Sequence, residues 1–142
     1  MPTYGIDTNI FLNVLREERA FLASSRAFLT DVEFGRVIGI ISTVNLTEIL
    51  TGAYRKGDDE VKKVYLSISK MESGGLRIVD VDRATADKGA QIRATHKLDT
   101  PDALIAATAI LNDAEILVTR DKDAYVKLTE IDVKTPEELG YK

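Results

Sequence analysis

Short apolar runs that do not alternate with polar residues constrain the fold of this chain more than any other feature. They are brief and rich in Ile and Val, and they cover residues 3–6, 37–41, 76–81 and 116–118, with a weaker run at 130–133. Strands that are buried on both faces of a parallel sheet have this pattern, because neither face of such a strand meets water. The sequence therefore predicts four to five parallel strands.

Segments with helical spacing lie between these runs. The predicted helices cover residues 8–16, 20–34, 43–54, 58–71, 83–98 and 100–112. Ser42 and Thr43 can cap the third of them, and Gly74-Gly75 can end the fourth, because glycine accepts a positive φ without steric cost. Strands that alternate with helices predict an α/β fold, a three-layer α/β/α sandwich around a central parallel sheet of four to five strands.

Length and composition indicate one domain. The chain has 142 residues, of which 44% are hydrophobic, and this is enough for one well-filled core and too little for two. We therefore expect a single domain over residues 1–142. No apolar run reaches the roughly 18 residues of a membrane span, and no secretory leader opens the chain, so we expect a cytoplasmic protein without a membrane partner.

The residue types that are missing limit the chemistry that this chain can perform. It has no cysteine and a single histidine, His96, which excludes a thiolate zinc site or a cysteine nucleophile and disfavours a histidine-based metal cage. Lys and Arg total 19 against 23 Asp and Glu, so the net charge of -4 is not that of a protein that binds nucleic acid by charge alone. Contact with nucleic acid would need a local basic patch or a bound cation.

Two aspartates stand where open parallel sheets bind their ligands, beyond the carboxyl ends of strands, and a third opens a helix whose N-terminus is expected to point inward. Asp7 follows the first strand, Asp121 follows the run at 116–118, and Asp102 lies in the first turn of a helix that is apolar nearly all round. Each has a simpler interpretation when taken alone. Asp7 can be a helix N-cap, Asp102 can complement the helix dipole, and Asp121 can be an ordinary turn residue, as can Asp123.

A convergence of these acids would require a proton or a cation. Two anions near 4 Å repel by about 4 kcal/mol at a surface-like effective dielectric. Oxygen ligands without histidine or cysteine favour Mg²⁺ or Mn²⁺, ions that also bind substrate phosphates. The pattern therefore points to phosphoryl chemistry. Glu48 does not join the set by periodicity, which predicts that its side chain faces solvent.

The sequence resembles the PIN domain family and, within it, the VapC-type toxin ribonucleases of prokaryotic toxin–antitoxin pairs. The resemblance covers essentially the whole chain. It rests on Ile6-Asp7-Thr8-Asn9 after the first strand, Glu48 within residues 45–49, the stretch 98–107 around Asp102, and Leu117-Val118-Thr119-Arg120-Asp121-Lys122-Asp123. The ordered set with this spacing is more specific than any one motif. One departure is that Ala124 precedes Tyr125, where the family often has an aromatic residue directly after the second aspartate.

The resemblance implies a fold, an activity and partners. It implies that Asp7, Glu48, Asp102 and Asp121 form an acidic cluster that binds Mg²⁺ or Mn²⁺ and hydrolyses RNA, with Glu48 turned to the active site. Thr119 would support the cluster by hydrogen bonding, and Asp123 would be an outer member. It also implies strand order that reverses beside the first strand, a homodimer, and inhibition by a small antitoxin. An RNA-processing nuclease or a non-catalytic scaffold that binds RNA or a partner remains an alternative.

Two other phosphate-binding classes fit the sequence less well. A haloacid-dehalogenase-like phosphatase would use Asp7 as its nucleophile but needs a second aspartate where Asn9 stands. A receiver-type module needs an aspartate at the end of a middle strand, where Ile41-Ser42-Thr43 offers none. His96 could act as a general base, but a histidine late in a helix more often complements the negative helix end.

Several residues are candidates for contacts with partners. Candidate phosphate contacts are Arg16, Arg19, Arg55, Lys56, Arg93, Lys97, Arg120 and Lys122, although most such residues are solvated surface charges. Candidate subunit contacts are Ala103, Ala106, Ala107, Phe21, Phe28 and Tyr65, which are residue types found more often in the core.

Overall fold

The protein forms a five-stranded sheet in which every strand is parallel to its neighbours. Its structure, a computed structural model, describes residues 1–142. The strands are β1 (Thr3–Ile6), β2 (Ile38–Ser42), β3 (Leu76–Val79), β4 (Ile116–Val118) and β5 (Asp132–Lys134). Their spatial order is β3-β2-β1-β4-β5. The predicted parallel sheet and its strand number are confirmed.

Helices connect and cover these strands. They are α1 (Thr8–Leu15), α2 (Leu22–Glu33), α3 (Thr43–Lys56), α4 (Asp58–Ser73), α5 (Arg83–Thr95), α6 (Thr100–Leu111) and α7 (Lys122–Tyr125), followed by a 3-10 helix (Glu137–Leu139). Ser42 caps α3 as predicted, in a reciprocal capping box with Asn45. None of the helices is long and apolar enough to cross a membrane.

Some predicted boundaries are wrong, and each difference has a local cause. Helix α5 ends at Thr95 rather than at residue 98, because His96 adopts an extended backbone with φ −131° and ψ 153°. The sequence also offers Thr100 as the cap of the helix predicted at residues 100–112, but Asp99 caps α6 instead, through a bond from the Asp102 N–H to its carboxylate. Helix α7 and the 3-10 helix were not predicted, since a single turn is too short to show helical periodicity.

The core consists of two clusters on opposite faces of the sheet. Leu117 belongs to one cluster, which α5, α6 and α7 help to form, and Val118 belongs to the other, which α1 to α4 help to form. Because neighbouring residues of a strand point to opposite faces, the sheet separates the two clusters. The predicted three-layer α/β/α sandwich is confirmed.

Most of the candidate subunit contacts are core residues instead. Ala103, Ala106, Ala107 and Phe28 are all fully buried within the chain, so no second subunit can touch them. Of that set, only Phe21 and Tyr65 are exposed.

Strand order reverses beside β1, and this places the ends of β1 and β4 next to each other. Strands β2 and β3 extend the sheet on one side of β1, and β4 and β5 extend it on the other. Ile6 pairs with Val118 at the carboxyl ends of the two strands. The Asp7 N–H donates to the Val118 carbonyl at 2.9 Å, so Asp7 and Thr119 leave the sheet side by side.

The close packing of α6 on β1 depends on Gly5, and this gives a test of the fold. A Cβ added at Gly5 would lie 2.5 Å from the Ala109 Cβ. We expect Gly5→Ala to lower the free energy of unfolding by about 1–3 kcal/mol, because the helix must shift. Urea denaturation measures the change.

Gly52 supplies the matched control, because a Cβ at this position in α3 would meet nothing within 4 Å. We expect Gly52→Ala to raise stability by up to about 1 kcal/mol. Equal effects of the two substitutions would contradict the packing described here.

Candidate active site

Asp7 is the buried carboxylate at the centre of the site. Its Oδ1 accepts a bond from the Thr8 N–H at 2.8 Å, so Asp7 caps α1, as its simpler interpretation predicts. Its Oδ2 accepts bonds from Thr119 Oγ1 at 2.7 Å, Tyr125 Oη at 3.3 Å and Asn9 Nδ2 at 3.4 Å. Helix capping therefore accounts for one oxygen, while donors from three parts of the chain converge on the other.

Asp102 lies close enough to Asp7 for the charge of Asp7 to affect its ionisation. Burial raises the pKa of Asp102 to about 7, and the negative charges of Asp7 and Asp99 add to this, while a hydrogen bond from Tyr125 opposes it. Burial also raises the pKa of Asp7, although hydrogen bonds from Thr119, Thr8 and Tyr125 oppose the rise. We call Asp7 and Asp102 the acidic pair.

Glu48 joins the site from α3 through a hydrogen bond. Its Oε1 accepts from the Thr8 hydroxyl at 2.6 Å. Asn45 Nδ2 donates to that same hydroxyl at 3.1 Å and to the Ile6 carbonyl at 2.9 Å, which fixes Thr8 against the end of β1. The side chain of Glu48 is exposed, as its periodicity predicts, and it is nevertheless held beside Asp7.

Thr119 connects the backbone at Asp121 to the acidic pair. This fully buried residue donates its hydroxyl to Asp7 and accepts from the Asp121 N–H at 3.0 Å. The Asp121 side chain is exposed at the start of α7 and caps no N–H of that helix. Asp123 is also exposed, and together with His96 and Lys97 it lines a cavity. None of the other predicted site acids lines that cavity.

Tyr125 is a site residue that sequence reasoning missed. Only 1% of its surface is exposed, and its hydroxyl donates to Asp7 and faces the carboxyl group of Asp102. Burial raises the pKa of Tyr125, and the charges of the acidic pair raise it further, so the hydroxyl keeps its proton. One proton thus faces two carboxyl groups. An aromatic residue in a one-turn helix gives no sequence signal of this role.

Arg120, a candidate phosphate contact, is engaged within the protein instead. Its guanidinium donates to Asn13 Oδ1 at 3.1 Å and to Ser24 and Ser25 at 2.8 and 2.9 Å, and it also pairs with Glu137. Its backbone N–H donates to Asn9 Oδ1 at 3.1 Å. These bonds tie the turn after β4 to α1 and α2, which makes Arg120 a structural anchor of the site.

The donor set of the acidic pair suits a hard divalent cation. The structure contains no group of three or more Asp, Glu or His side chains that could hold a metal ion by themselves. Mg²⁺ commonly binds through one or two carboxylates and completes its shell with water and substrate phosphates. Asp7 and Asp102 supply such a pair, all of its donors are oxygens, and burial raises the pKa of each, so a bound cation would favour their ionised forms.

Comparison with known proteins assigns the chain to a family. The profile of the PIN domain matches residues 4–130. The chain therefore belongs to the PIN domain family, whose members are generally nucleases. No match to this chain is found among curated proteins.

Solved structures share the fold at low sequence identity. A toxin–antitoxin complex from Klebsiella pneumoniae has a TM-score of 0.70 at 24% identity, with 96% of this chain and 98% of that chain covered. DNA-bound VapBC from Salmonella typhimurium has a TM-score of 0.70 at 19% identity, with 96% and 99% covered. FitAcB from Neisseria gonorrhoeae has a TM-score of 0.69 at 21% identity, with 95% and 98% covered.

The raised pKa of Asp102 predicts how stability depends on pH in metal-free protein. The folded value of about 7 lies above the unfolded value of about 3.9, so folding favours the protonated acid. Its contribution to stability is complete below about pH 4 and is lost as the pH rises to about 7. We therefore expect Asp102→Asn to be more stable than the wild type at pH 8, by about 1–2 kcal/mol after allowance for its partial exposure, and nearly equal at pH 4.

Thermal unfolding of both proteins across this pH range, with chelator present, measures the effect. Asp80→Asn, at an exposed position after β3, is the control and should follow the wild type. If the unfolding temperatures of the wild type and of Asp102→Asn changed in parallel with pH, the raised pKa assigned to Asp102 would be contradicted.

Proposed function

We propose that this protein is a Mg²⁺- or Mn²⁺-dependent endoribonuclease and the toxin of a type II toxin–antitoxin pair. Asp7, Asp102 and Asp121 would be the chief metal ligands, and Glu48 would hold a second ion or orient the attacking water. Thr119 would position Asp7, and Asp123 would be an outer member. The proposal extends the membership of the PIN domain family to a substrate, a cofactor and partners.

The acidic pair is the observation that carries this proposal. Two carboxyl groups, one of them buried, face the single proton of the Tyr125 hydroxyl, and no cationic side chain forms a salt bridge with either. Where buried acids have only a structural role, they are paired with Lys or Arg, because unpaired charge away from water is costly. A cation-binding site differs, because its acids must be free to bind the cation.

The residues of this chain would divide the work of phosphodiester hydrolysis among them. A bound divalent cation would supply electrostatic stabilisation of the phosphate oxygens and make a water molecule more acidic. Thr119 and Tyr125 fix the Oδ2 atom of Asp7 by donating to it, and the Thr8 N–H fixes its Oδ1 atom. Glu48 Oε1 accepts a bond from Thr8, and Glu48 would hold a second ion or orient the water for attack on phosphorus in line with the leaving oxygen.

RNA cleavage and its metal dependence are tested with one substitution. We expect purified protein to cleave RNA with Mg²⁺ or Mn²⁺ and to stop when chelator is added. Asp102→Asn removes one ligand charge, so we expect at least a 100-fold lower cleavage rate and weaker Mn²⁺ binding while the protein remains folded. Gel assays of labelled RNA, calorimetric Mn²⁺ titration and circular dichroism measure these three properties.

Two results would contradict the proposal in different ways. Full cleavage activity of Asp102→Asn would show that the acidic pair is not required for catalysis. A wild-type protein that binds RNA but neither binds Mn²⁺ nor cleaves RNA would support the non-catalytic scaffold instead.

An antitoxin partner is supported by the relatives and by one groove. The similar solved structures include toxin–antitoxin complexes. In this chain a groove of about 240 Å³ between α1, α2 and α4 is lined mainly by apolar side chains, among them Phe11, Leu29 and Ile68. We infer that an apolar segment of a small antitoxin binds there. Homodimer formation is likewise proposed, with the exposed Tyr65 and Leu66 of α4 as its candidate contacts.

The partner is tested by expressing this chain with the product of its neighbouring gene. We expect the two to co-purify and the complex to cleave RNA at least 10-fold more slowly than the free protein, since an occluded site excludes substrate. If the neighbouring gene encodes no protein that inhibits cleavage, the assignment as a toxin would be contradicted and an RNA-processing nuclease would be favoured.

A further inference from the structure

Three of the candidate phosphate contacts have partners within the chain. Arg120 pairs with Glu137, and Lys122 Nζ lies 2.9 Å from Glu138 Oε2. Arg93 donates its Nε–H to the Leu98 carbonyl at 3.1 Å. These contacts account for three of the eight candidate phosphate contacts, and Lys97 is among the five that remain.

Two lysines that form no salt bridge line one cavity. Lys97 follows α5, and Lys127 follows α7. The cavity between these segments has a volume of about 360 Å³, which lies within the range of small-ligand pockets, and we call it the α5–α7 cavity. Asp123 is the one acid among its lining residues, so the two lysines give the cavity an excess of positive charge.

His96 adds a second, independent observation at the same place. Its side chain lines the α5–α7 cavity, and its Nδ1 atom is buried without a hydrogen-bond partner. Buried polar atoms in native proteins nearly always have partners, because an unsatisfied one costs about 1–3 kcal/mol. Rotation of the imidazole about χ2, a soft torsion, would present Nδ1 to a ligand in the cavity.

The α5–α7 cavity is built from the same segments as the acidic pair. Asp123 and Ala124 line it, and the next residue, Tyr125, donates to Asp7. On the other side, Lys97 lines it, and the chain continues from there to Asp99, which caps the helix that carries Asp102. The chain thus passes from the lining of this cavity to Tyr125 within one residue and to Asp99 within two, so both sites belong to the same pair of segments.

We propose that the α5–α7 cavity is a second RNA subsite, which binds a backbone phosphate next to the scissile one. Lys97 and Lys127 would neutralise that phosphate, and His96 would donate an Nδ1–H bond to one of its oxygens. The inference rests on the proposed function, because it takes RNA as the substrate. The subsite would let a protein of net charge -4 bind a polyanion, because a cation would neutralise one phosphate and the two lysines would neutralise the next.

The test measures RNA binding without cleavage. Asp102→Asn is the parent protein, fluorescein-labelled single-stranded RNA of mixed sequence is the probe, and fluorescence anisotropy is recorded over a series of NaCl concentrations with chelator present. We expect Lys97→Ala/Lys127→Ala in this parent to bind about 10-fold more weakly. We also expect the slope of log affinity against log salt to become shallower by about one, as one lost phosphate contact requires.

Matched variants separate the subsite from general charge effects. Lys62→Ala/Lys63→Ala removes two exposed lysines of α4, and we expect it to bind like the parent. His96→Ala should weaken binding several-fold with the salt slope unchanged, because it removes a hydrogen bond and no phosphate-pairing charge. Unfolding temperatures confirm that each variant is folded.

The outcomes distinguish this inference from the proposed function. Equal losses of RNA affinity in the two double variants, or no RNA binding by the parent, would overturn the subsite. Mn²⁺ titration of the wild type and of Lys97→Ala/Lys127→Ala should give the same Mn²⁺ affinity. A lower Mn²⁺ affinity of the variant would also overturn the subsite, since the lysines would then act through the metal site. A wild-type protein that fails to bind Mn²⁺ contradicts the proposed function alone, provided that the difference in RNA binding persists.

Discussion

The site depends on one interaction, the approach of two carboxyl groups to a single tyrosine hydroxyl. Asp7 and Asp102 come from segments 95 positions apart in the chain (102 − 7), and Tyr125 brings its one proton to both. The hydroxyl can donate fully to only one carboxyl group at a time. Burial raises the pKa of each acid, and for Asp102 the charge of Asp7 adds to the rise, so a cation bound at this position would favour the ionised forms of both.

The sheet makes this approach possible. Because strand order reverses between β1 and β4, the two strands end side by side, and the residues that follow them enter a common space. Three consecutive residues after β4 then serve three purposes. Thr119 orients Asp7, Arg120 anchors the turn to α1 and α2, and Asp121 is left exposed at the rim.

Sequence reasoning predicted the framework well, because the framework depends on local patterns. The runs at 3–6 and 116–118 are strands with the predicted bounds, since Ile- and Val-rich segments without alternation have few other structures available. Asp7 was also predicted as an N-cap, which needs only its position before a helix. By contrast, the end of α5 was misplaced at residue 98, because nothing in the sequence marks the extended backbone at His96.

The contacts that shape the site could not be predicted in the same way. Tyr125 acts on Asp7 across 118 positions of sequence, and Arg120 acts on Asn13 across 107, so neither role leaves a local pattern. Glu48 shows the limit most clearly. Its helical phase predicts exposure, which is correct, but the bond from Thr8 that holds it at the site depends on how α3 packs against α1.

The most direct test of the account is to locate a bound ion by paramagnetic line broadening. Mn²⁺ added in less than stoichiometric amounts to ¹⁵N-labelled protein should first broaden the amide signals of Thr8, Asp102 and Ala103, which belong to the acidic pair or directly follow one of its members. The first turn of α4, with Asp58, Asp59 and Glu60, is an internal comparison, because it is acidic and lacks the buried pair. Broadening that begins at α4, or that spreads evenly over all acidic surfaces, would contradict the account.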